Sequence, residues 1–314
     1  MKTMGFKKKK FRIGRKADFW LRLGGLTAIA VPVCCIAIAG VVGWIVSHPR
    51  RKPLGDDLEQ YGLPRQDVEF LSLRGDVRLR GWHIPAANRD KRLVIFAHGY
   101  AENRTSNKPV LPLVRAFYDR GISSLLFDFR HSGESDSSVT SVGHFEMYDL
   151  LAALEWGKQN GYSEIAFVGF SMGAATAIIA AAKSKQVKAV VADSPFSDLE
   201  SYLKENMHIW TKLPNIPFTY LMMKMIPRMT GIDVRQVQPA CMIQELKHIP
   251  VLLIHNKGDT YISAEHSRKI FERSGPLTEL WITDGETHVG SYDLDPEKYV
   301  HKVVGFVEKS FSSS

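Results

Sequence analysis

A five-residue motif, Gly169-Phe-Ser171-Met-Gly173, constrains the fold of this chain more than any other feature. The apolar residues 164–168 before it predict a buried strand, and the Ala-rich residues 174–182 after it favour a helix. A strand that turns directly into a helix needs glycines on both sides of the serine, because a Cβ there would crowd the backbone. The motif therefore predicts a sharp turn that exposes the Ser171 hydroxyl beside the free N–H groups of a helix N-terminus.

Strands and helices alternate on both sides of this motif. A hairpin comes first, because residues 67–73 and 77–84 alternate apolar and polar around a turn. Further strands are predicted at 92–97, 123–127, 164–168, 187–192, 251–255 and 279–282, and helices at 107–119, 142–159, 172–183, 264–273 and 296–309. This order predicts an α/β fold: a mostly parallel sheet covered by helices on both faces, with ligands at the carboxyl ends of the strands.

Residues 196–246 interrupt the alternation. No strand fits this interval, four prolines divide it into two or three helical pieces, and it contains six of the ten methionines. An insertion between two strands at the carboxyl edge of the sheet is well placed to form a helical lid. Methionine adapts to varied apolar shapes, so these residues could line an acyl pocket, or they could only pack the lid onto the body.

The N-terminal region predicts a membrane anchor. Residues 1–22 form a basic tail with nine Lys and Arg and one Asp, which accounts for the whole formal net charge of +8. Residues 23–46 are uncharged and would form a transmembrane helix of about 36 Å, enough to span a hydrocarbon core of about 30 Å. The charge asymmetry predicts a single-pass protein of the cell membrane, with a cytoplasmic N-terminus and an extracytoplasmic main domain. A cleaved signal peptide ending near Ala37-Ile-Ala39 is the alternative.

The rest of the chain is interpreted as a linker over residues 47–66 and one domain over residues 67–314. The linker is polar and contains three prolines. Because the basic tail holds all the excess charge, the domain has none with which to displace counterions from nucleic acid, and no such partner is predicted. Three cysteines without zinc-binding spacing predict neither a disulfide framework nor a metal site, and no cofactor is implied.

The serine motif needs partners before it can carry chemistry. A serine hydroxyl becomes a good nucleophile only when a base takes its proton and an acid orients that base. His288 lies in a polar loop after the last predicted strand, and Asp259 follows the strand before it. Asp193, after the strand that follows the motif, is the second candidate for the acid. The backbone N–H groups of Tyr100 and Met172 are the predicted donors to an oxyanion.

These residues together resemble the α/β-hydrolase fold, in particular a family of bacterial membrane-anchored serine hydrolases described as esterase-like or peptidase-like. The similarity covers about residues 67–310. It lies in five motifs in the expected order: His98-Gly99-Tyr100, Asp128-Phe-Arg130-His-Ser-Gly133-Glu-Ser135, Gly169-Phe-Ser171-Met-Gly173, Gly258-Asp259 and His288. The resemblance implies that Ser171 is the nucleophile, Asp259 the acid and His288 the base, with the oxyanion hole at Tyr100 and Met172. His131 stands where the family normally has a glycine.

The residues and the resemblance predict a serine hydrolase that cleaves a carboxylic ester or related acyl bond of a small-molecule substrate through an acyl-enzyme, with lipids and peptides among the candidate substrates. A peptidase acting on short peptides and an acyltransferase would use the same three side chains, so both alternatives stay open. A membrane-tethered binding module without catalytic activity is a third alternative, and the complete set of triad residues argues against it.

Overall fold

The computed structural model describes residues 14–55, 57–87, 91–184 and 186–312, so the first 13 residues of the predicted basic tail lie outside the described residues. Eight strands form one sheet: β1 (Gln66–Leu71), β2 (Arg78–Ile84), β3 (Arg92–Ala97), β4 (Ser123–Phe127), β5 (Glu164–Phe170), β6 (Ala189–Asp193), β7 (Val251–Asn256) and β8 (Thr278–Thr283). Their order is β1-β2-β4-β3-β5-β6-β7-β8. The β1–β2 and β2–β4 pairs are antiparallel, and every later pair in the sheet is parallel.

Ten α-helices are found in the described part of the chain. They are α1 (Gly14–Ser47), α2 (Val110–Asp119), α3 (Glu146–Gln159), α4 (Met172–Ser184), α5 (Leu199–Thr211), α6 (Tyr220–Thr230), α7 (Pro239–Met242), α8 (Glu265–Glu272), α9 (Ser291–Leu294) and α10 (Pro296–Ser312). Helices α3 and α4 pack on one face of the sheet, and α2 and α10 pack on the other. The prediction of a mostly parallel sheet with helices on both faces is therefore confirmed.

The two apolar cores follow from the two-residue period of a strand. Along β3, Leu93 and Ile95 point into the core under α3 and α4, whereas Val94 and Phe96 point into the core under α2 and α10. A central parallel strand is thus buried on both faces, which explains why it is a continuous apolar run in the sequence. The edge strand β1 instead alternates exposed and half-buried residues, whereas β2 is buried continuously from Gly81 to Ile84.

The predicted helices 107–119 and 142–159 begin later in the structure, at Val110 and Glu146. The turn before α3 shows why. Val142 and Gly143 have positive φ values, and the buried Glu146 carboxylate accepts hydrogen bonds from the N–H groups of Ser141 and Gly143. The left-handed backbone there cannot continue a helix, and helical periodicity alone does not reveal such a turn.

The insertion at residues 196–246 is helical, as predicted, and contains more pieces than the two or three expected. An irregular turn at Asn215–Thr219 joins α5 to α6, a short 3₁₀ turn at Val234–Gln236 lies between α6 and α7, and another at Ile243–Leu246 follows α7. Pro227 lies inside α6 and does not end it. We call this insertion the lid.

The methionines of the lid pack mainly against the N-terminal helix. Met207 and Met222 are buried in a small cluster with Ala39 of α1. A Cβ on Gly40 of α1 would lie 2.9 Å from the methyl carbon of Met225, so the two helices are in close contact. Packing of the lid thus explains the position of most of these methionines. The surface that they pack against includes α1 as well as the body of the domain.

The segment predicted as a linker, residues 47–66, contacts the domain closely. Arg51 Nη2 donates to the carbonyl oxygen of Ser132 at 3.3 Å, and Arg51 Nε donates to that of Gly133 at 3.1 Å. The side-chain amide of Asn103 donates to the carbonyl of Pro53 at 2.8 Å. These bonds hold the end of α1 and the residues after it against one place on the domain.

Candidate active site

The turn at Ser171 joins β5 to α4 without an intervening loop. Ser171 is the single residue between Phe170 and Met172, and its φ of +52° lies in the left-handed region. A non-glycine residue held there costs about 1–3 kcal/mol, so neighbouring contacts must stabilise it. Its N–H donates to the carbonyl of Asp193 at 2.8 Å, and its carbonyl accepts from the N–H of Ala174 at 3.0 Å.

The two glycines of the motif are required by close backbone approach. A Cβ on Gly169 would lie 2.4 Å from the carbonyl oxygen of Gly173. A Cβ on Gly173 would lie 2.0 Å from the carbonyl oxygen of Ala97 and 2.6 Å from that of His98. Since these are backbone atoms, no side-chain movement could make room, and the predicted role of both glycines matches this geometry.

We expect Gly173→Ala to destabilise the protein by about 3 kcal/mol or more, because the added methyl would force apart α4 and the end of β3. Gly305→Ala is the matched control: Gly305 lies in α10, and no atom approaches its Cβ position within 4 Å. Alanine there should raise the free energy of unfolding by about 0.5–1 kcal/mol. Thermal unfolding of the full chain in detergent measures both; equal effects of the two variants would contradict this account.

The structure brings Ser171, His288 and Asp259 into one hydrogen-bonded row. His288 Nε2 lies 2.8 Å from Ser171 Oγ, and His288 Nδ1 lies 2.6 Å from Asp259 Oδ2. An ionised carboxylate only accepts, so Nδ1 carries the proton and Nε2 is free to accept from the hydroxyl. The three side chains follow β5, β7 and β8, because the carboxyl ends of parallel strands meet at one edge of the sheet. The His288 side chain is 22% exposed, which leaves the row open to a substrate.

Asp259 is buried, and its carboxylate is strongly held. Burial alone would raise its pKa, but hydrogen bonds from His255 and His288, the charge of His288 and the N–H of Ile262 together hold the pKa well below its usual range. Its Oδ1 accepts from the N–H groups of Tyr261 and Ile262 at 2.9 Å and 3.0 Å. The carboxylate therefore stays ionised at neutral pH and can orient His288.

Asp193, the second candidate for the acid, is used elsewhere. Its Oδ2 accepts from the Tyr299 hydroxyl of α10 at 2.7 Å, and its Oδ1 accepts from the Ser194 hydroxyl at 2.9 Å. Burial raises the pKa of Asp193, and the hydrogen bonds from Tyr299 and Ser194 lower it only in part. The side chain thus ties α10 to the sheet and makes no hydrogen bond to His288 in the described part of the chain.

The two predicted oxyanion donors lie beside Ser171. Met172 is the first residue of α4, and a Cβ on Gly99, next to Tyr100, would lie 3.6 Å from the Cβ of Ser171. Among the described residues, no acceptor takes a hydrogen bond from the backbone N–H of Tyr100 or of Met172. Two unpaired donors near the hydroxyl suit a negatively charged oxygen.

His98 fixes the loop that carries Tyr100, residues 98–101, which we call the oxyanion loop. Its ring Nδ1 lies 2.8 Å from the carbonyl of Gly99, and its Nε2 accepts from the N–H of Phe129 at 2.9 Å. Because a backbone N–H can only donate, the ring is neutral with its proton on Nδ1. Burial lowers the pKa of His98, which favours this neutral form.

His131, where the family normally has glycine, keeps the backbone shape that a glycine would allow. Its φ is +58°, and its Nδ1 accepts from the N–H of Ser138 at 3.2 Å. Asp128 of the same loop forms a buried ion pair with Arg104 at 2.6 Å. The substitution therefore leaves this loop beside the site intact.

Two contacts at the site were missing from the sequence interpretation. His255 is buried, with Nε2 2.7 Å from the carbonyl of Ile262 and 3.4 Å from Asp259 Oδ2. The Tyr100 hydroxyl donates to the carbonyl of Val46, near the end of α1, at 2.6 Å. Because His255 lies only four residues before Asp259, the sequence could have predicted that the two are close. Nothing in the sequence predicts the contact between Val46 and Tyr100.

No cluster of three or more His, Cys, Asp or Glu side chains that could hold a metal ion is found among the residues that the structure describes. The titratable side chains nearest Ser171 are instead arranged as a proton-transfer row. Such a row, beside paired N–H donors, can activate a hydroxyl for attack on a carbonyl and can stabilise the oxyanion that results.

Comparisons with known proteins agree with this fold. A family model described as alpha/beta hydrolase fold matches residues 92–221. The chain is 28% identical to the Bacillus subtilis protein YqkD over 240 residues, which cover 75% of this chain and 77% of YqkD. It is 30% identical to the polyketide transferase ATR5 of Stachybotrys chlorohalonatus over 294 residues, which cover 79% of this chain and 98% of ATR5.

Solved structures show the same architecture. The Pyrococcus furiosus esterase Pf2001 superposes with a TM-score of 0.69 at 30% identity, covering 83% of this chain and 98% of that chain. In this chain the architecture consists of the parallel sheet, the helices on both of its faces and the turn that presents Ser171 at the sheet edge. The chain therefore belongs to the α/β-hydrolase family.

Proposed function

We propose that this protein is a serine hydrolase that cleaves a carboxylic ester, or a related acyl bond, of a small-molecule substrate through an acyl-enzyme on Ser171. The observation that carries the proposal is the row of hydrogen bonds from Ser171 through His288 to Asp259, with distances of 2.8 Å and 2.6 Å. The similarity to an esterase supports the same class of reaction.

In the first half of the reaction, His288 Nε2 accepts the hydroxyl proton as Ser171 Oγ attacks the substrate carbonyl. Asp259 keeps His288 in the tautomer that can accept and stabilises the imidazolium that forms. The N–H groups of Tyr100 and Met172 donate to the oxyanion, and each such donor contributes about 3 kcal/mol in comparable sites. His288 then gives its proton to the leaving group, and the acyl group stays on Ser171.

In the second half, water takes the place of the leaving group. His288 accepts a proton from the water as it attacks the acyl carbonyl, and then returns that proton to Ser171 Oγ, which leaves. The products are the free acid and the regenerated enzyme, so the cycle uses the three side chains, the two backbone N–H donors and water.

Hydrolysis of p-nitrophenyl esters with acyl chains of graded length, by the full chain in detergent, tests this proposal. Labelling of Ser171 by a fluorophosphonate is measured in parallel, because it reports the nucleophile whatever the substrate. Labelling with ester turnover supports the proposal. Absence of both would mean that the domain is a binding module, the third alternative above.

Acyl transfer to an acceptor other than water is a second candidate, because the relative ATR5 is named a polyketide transferase. The acyl-enzyme is common to both reactions, and only the attacking group differs. Adding a primary alcohol or amine to the ester assay and measuring the ratio of new ester or amide to free acid separates the two. A product that is mostly free acid at high acceptor concentration would argue for hydrolysis.

Helix α1 is proposed to anchor the protein in the cell membrane, with the N-terminus in the cytoplasm and the catalytic domain outside. The stretch Arg22–Ser47 is 26 residues long, contains an 18-residue window with a mean hydropathy of 2.6 and is mostly exposed. Residues 39–47 of α1 contact the lid and Tyr100, so this end of the helix is part of the folded domain.

The native cysteines provide a test of this orientation. Cys241 is exposed on α7 of the lid, whereas Cys34 and Cys35 lie within α1. A maleimide that cannot cross membranes should label Cys241 in intact cells and should not label the Cys241→Ser variant. Labelling only after the cells are opened would place the domain in the cytoplasm.

A further inference from the structure

An apolar cavity lies between the N-terminal helix, the lid and the oxyanion loop. Its volume is about 70 Å³, and residues from three distant parts of the chain line it, among them Val46, Ser47, Tyr100, Tyr202, Met207 and Trp210. One water-sized sphere takes about 10–15 Å³, so the space holds a short row of methylene-sized groups. The catalytic row at Ser171 does not account for this cavity.

One residue of the cavity lining, Tyr100, is the chain neighbour of a residue in contact with Ser171. Tyr100 lines the cavity and directly follows Gly99, whose Cβ position is 3.6 Å from the Cβ of Ser171. The Trp210 ring meets the edge of the Tyr100 ring, with their centroids 5.2 Å apart, and its Nε1 donates to the Tyr202 hydroxyl at 3.0 Å. An acyl group on Ser171 that extended past Gly99 would meet these aromatic side chains.

The end of α1 is held in place as part of the cavity wall. Its Val46 carbonyl accepts from the Tyr100 hydroxyl at 2.6 Å, and its Ser47 carbonyl accepts from the N–H of Thr140 at 2.8 Å. Closer to the middle of α1, a Cβ on Gly43 would lie 3.1 Å from Ile226 of α6. Small residues on α1 thus let the lid approach, and the position of Val46 is set by packing.

One polar atom of the lining has no partner within the fold. Thr140 lines the cavity, and its Oγ1 is one of three buried side-chain polar atoms, among the described residues, that make no hydrogen bond. Ser47, the other hydroxyl next to α1, is satisfied by the carbonyls of Gly43 and Trp44. The lining offers a bound chain many apolar contacts and, apart from Thr140, little hydrogen bonding.

We propose that this cavity binds the acyl chain of the substrate, and that the end of the N-terminal helix sets the chain length that the site accepts. The helix is then a wall of the substrate site as well as an anchor. This inference rests on the proposed function, because it requires an acyl group on Ser171. Its ligand is an unbranched aliphatic chain: short chains fit the space present, and longer ones must displace Val46 or the lid.

Val46→Phe in the full chain tests the inference, with Ile45→Phe as the matched control. Val46 lines the cavity, whereas the adjacent Ile45 is 53% exposed and lies outside the lining. Phenylalanine at 46 should lower the ratio of kcat/KM for p-nitrophenyl octanoate to that for the acetate about tenfold or more, since a pocket discriminates at about that level per methylene. Val46→Ala should raise the same ratio, and Ile45→Phe should leave it unchanged.

The outcomes separate the inference from the proposed function. Fluorophosphonates with short and long alkyl chains give a second readout, the rate of Ser171 labelling, which needs no turnover. If Ser171 labels but Val46→Phe and Val46→Ala leave the chain-length ratio unchanged, or Ile45→Phe changes it equally, the inference is wrong and the hydrolase proposal stands. If the unaltered chain shows no labelling at any chain length, the proposed function fails first.

Thr140→Val tests the apolar character of the occupant. Valine replaces a hydroxyl that has no partner by a methyl group of the same shape, so the fold loses no side-chain hydrogen bond. With an aliphatic chain in the cavity, kcat/KM for the octanoate should stay equal or rise. A fall for the octanoate with no change for the acetate would show that the cavity takes a polar group, which overturns the aliphatic assignment.

Discussion

Replacing Ser171 with alanine should lower kcat for p-nitrophenyl ester hydrolysis by about 10⁵-fold to 10⁶-fold, the scale at which removal of a triad serine acts in other enzymes. The reason is the loss of the hydroxyl that His288 activates, at 2.8 Å. Alanine keeps the same Cβ at a φ of +52°, so the turn gains no new strain. Initial rates and fluorophosphonate labelling, both measured on the full chain in detergent, give the result.

The matched control for that variant is Ser194→Ala. Ser194 also follows a parallel strand and also has a positive φ, of 56°, but its hydroxyl donates to Asp193 instead of to a histidine. Its alanine variant should keep ester turnover close to that of the unaltered protein. If Ser194→Ala were as inactive as Ser171→Ala, the loss would reflect damage to this edge of the sheet and not removal of the nucleophile.

Asp259→Asn should lower kcat by about 10⁴-fold with the fold preserved, because the amide puts a donor where the carboxylate accepts. The side-chain oxygen of the introduced asparagine would accept from the N–H groups of Tyr261 and Ile262, so its NH₂ group would face His288 Nδ1. That contact favours a proton on Nε2, which can then no longer accept from Ser171. A pH series of kcat on purified protein measures the loss, and it should persist at every pH at which the protein is folded.

The pKa of Asp259 also predicts a dependence of stability on pH. Its folded pKa lies below the usual value of 3.8, so the ionised carboxylate stabilises the fold above about pH 4, and this contribution is lost as the pH falls further.

Asp193→Asn is the control for the role in catalysis. An asparagine there can still bond Tyr299 and Ser194, and kcat should change little; a loss equal to that of Asp259→Asn would contradict the assignment of the acid.

The core strands could be predicted because burial on both faces produces continuous apolar runs with turn residues at each end. The predicted strands 92–97 and 123–127 match β3 and β4 residue for residue, and the others differ by one or two residues at an end. The predicted starts of α2 and α3 were three and four residues early, and at α3 the cause is the turn at Val142 and Gly143, whose positive φ values helical periodicity does not reveal.

The choice between two acids depended on the tertiary structure. Asp193 is the last residue of β6 and Asp259 follows β7, so local sequence makes both suitable. The distinction comes from their neighbours. The Tyr299 hydroxyl of α10, 106 positions away in the chain, donates a hydrogen bond to Asp193, whereas His288 is hydrogen-bonded to Asp259. Only the packing of α10 on the sheet decides which carboxylate is left for the histidine.

Residue types at short spacing were enough to predict the α/β fold, the sharp turn at Ser171 and the apolar character of α1, because each of these is a local property. The place where α1 ends is a tertiary property: its Val46 carbonyl is bonded to Tyr100 of the oxyanion loop, and its Gly40 lies against Met225 of the lid. A run of small and apolar residues suits a membrane as well as a protein surface. The spacing of residues along the chain cannot distinguish a membrane-facing helix from one that packs on protein. Only the folded structure brings the lid and Tyr100 against the end of α1.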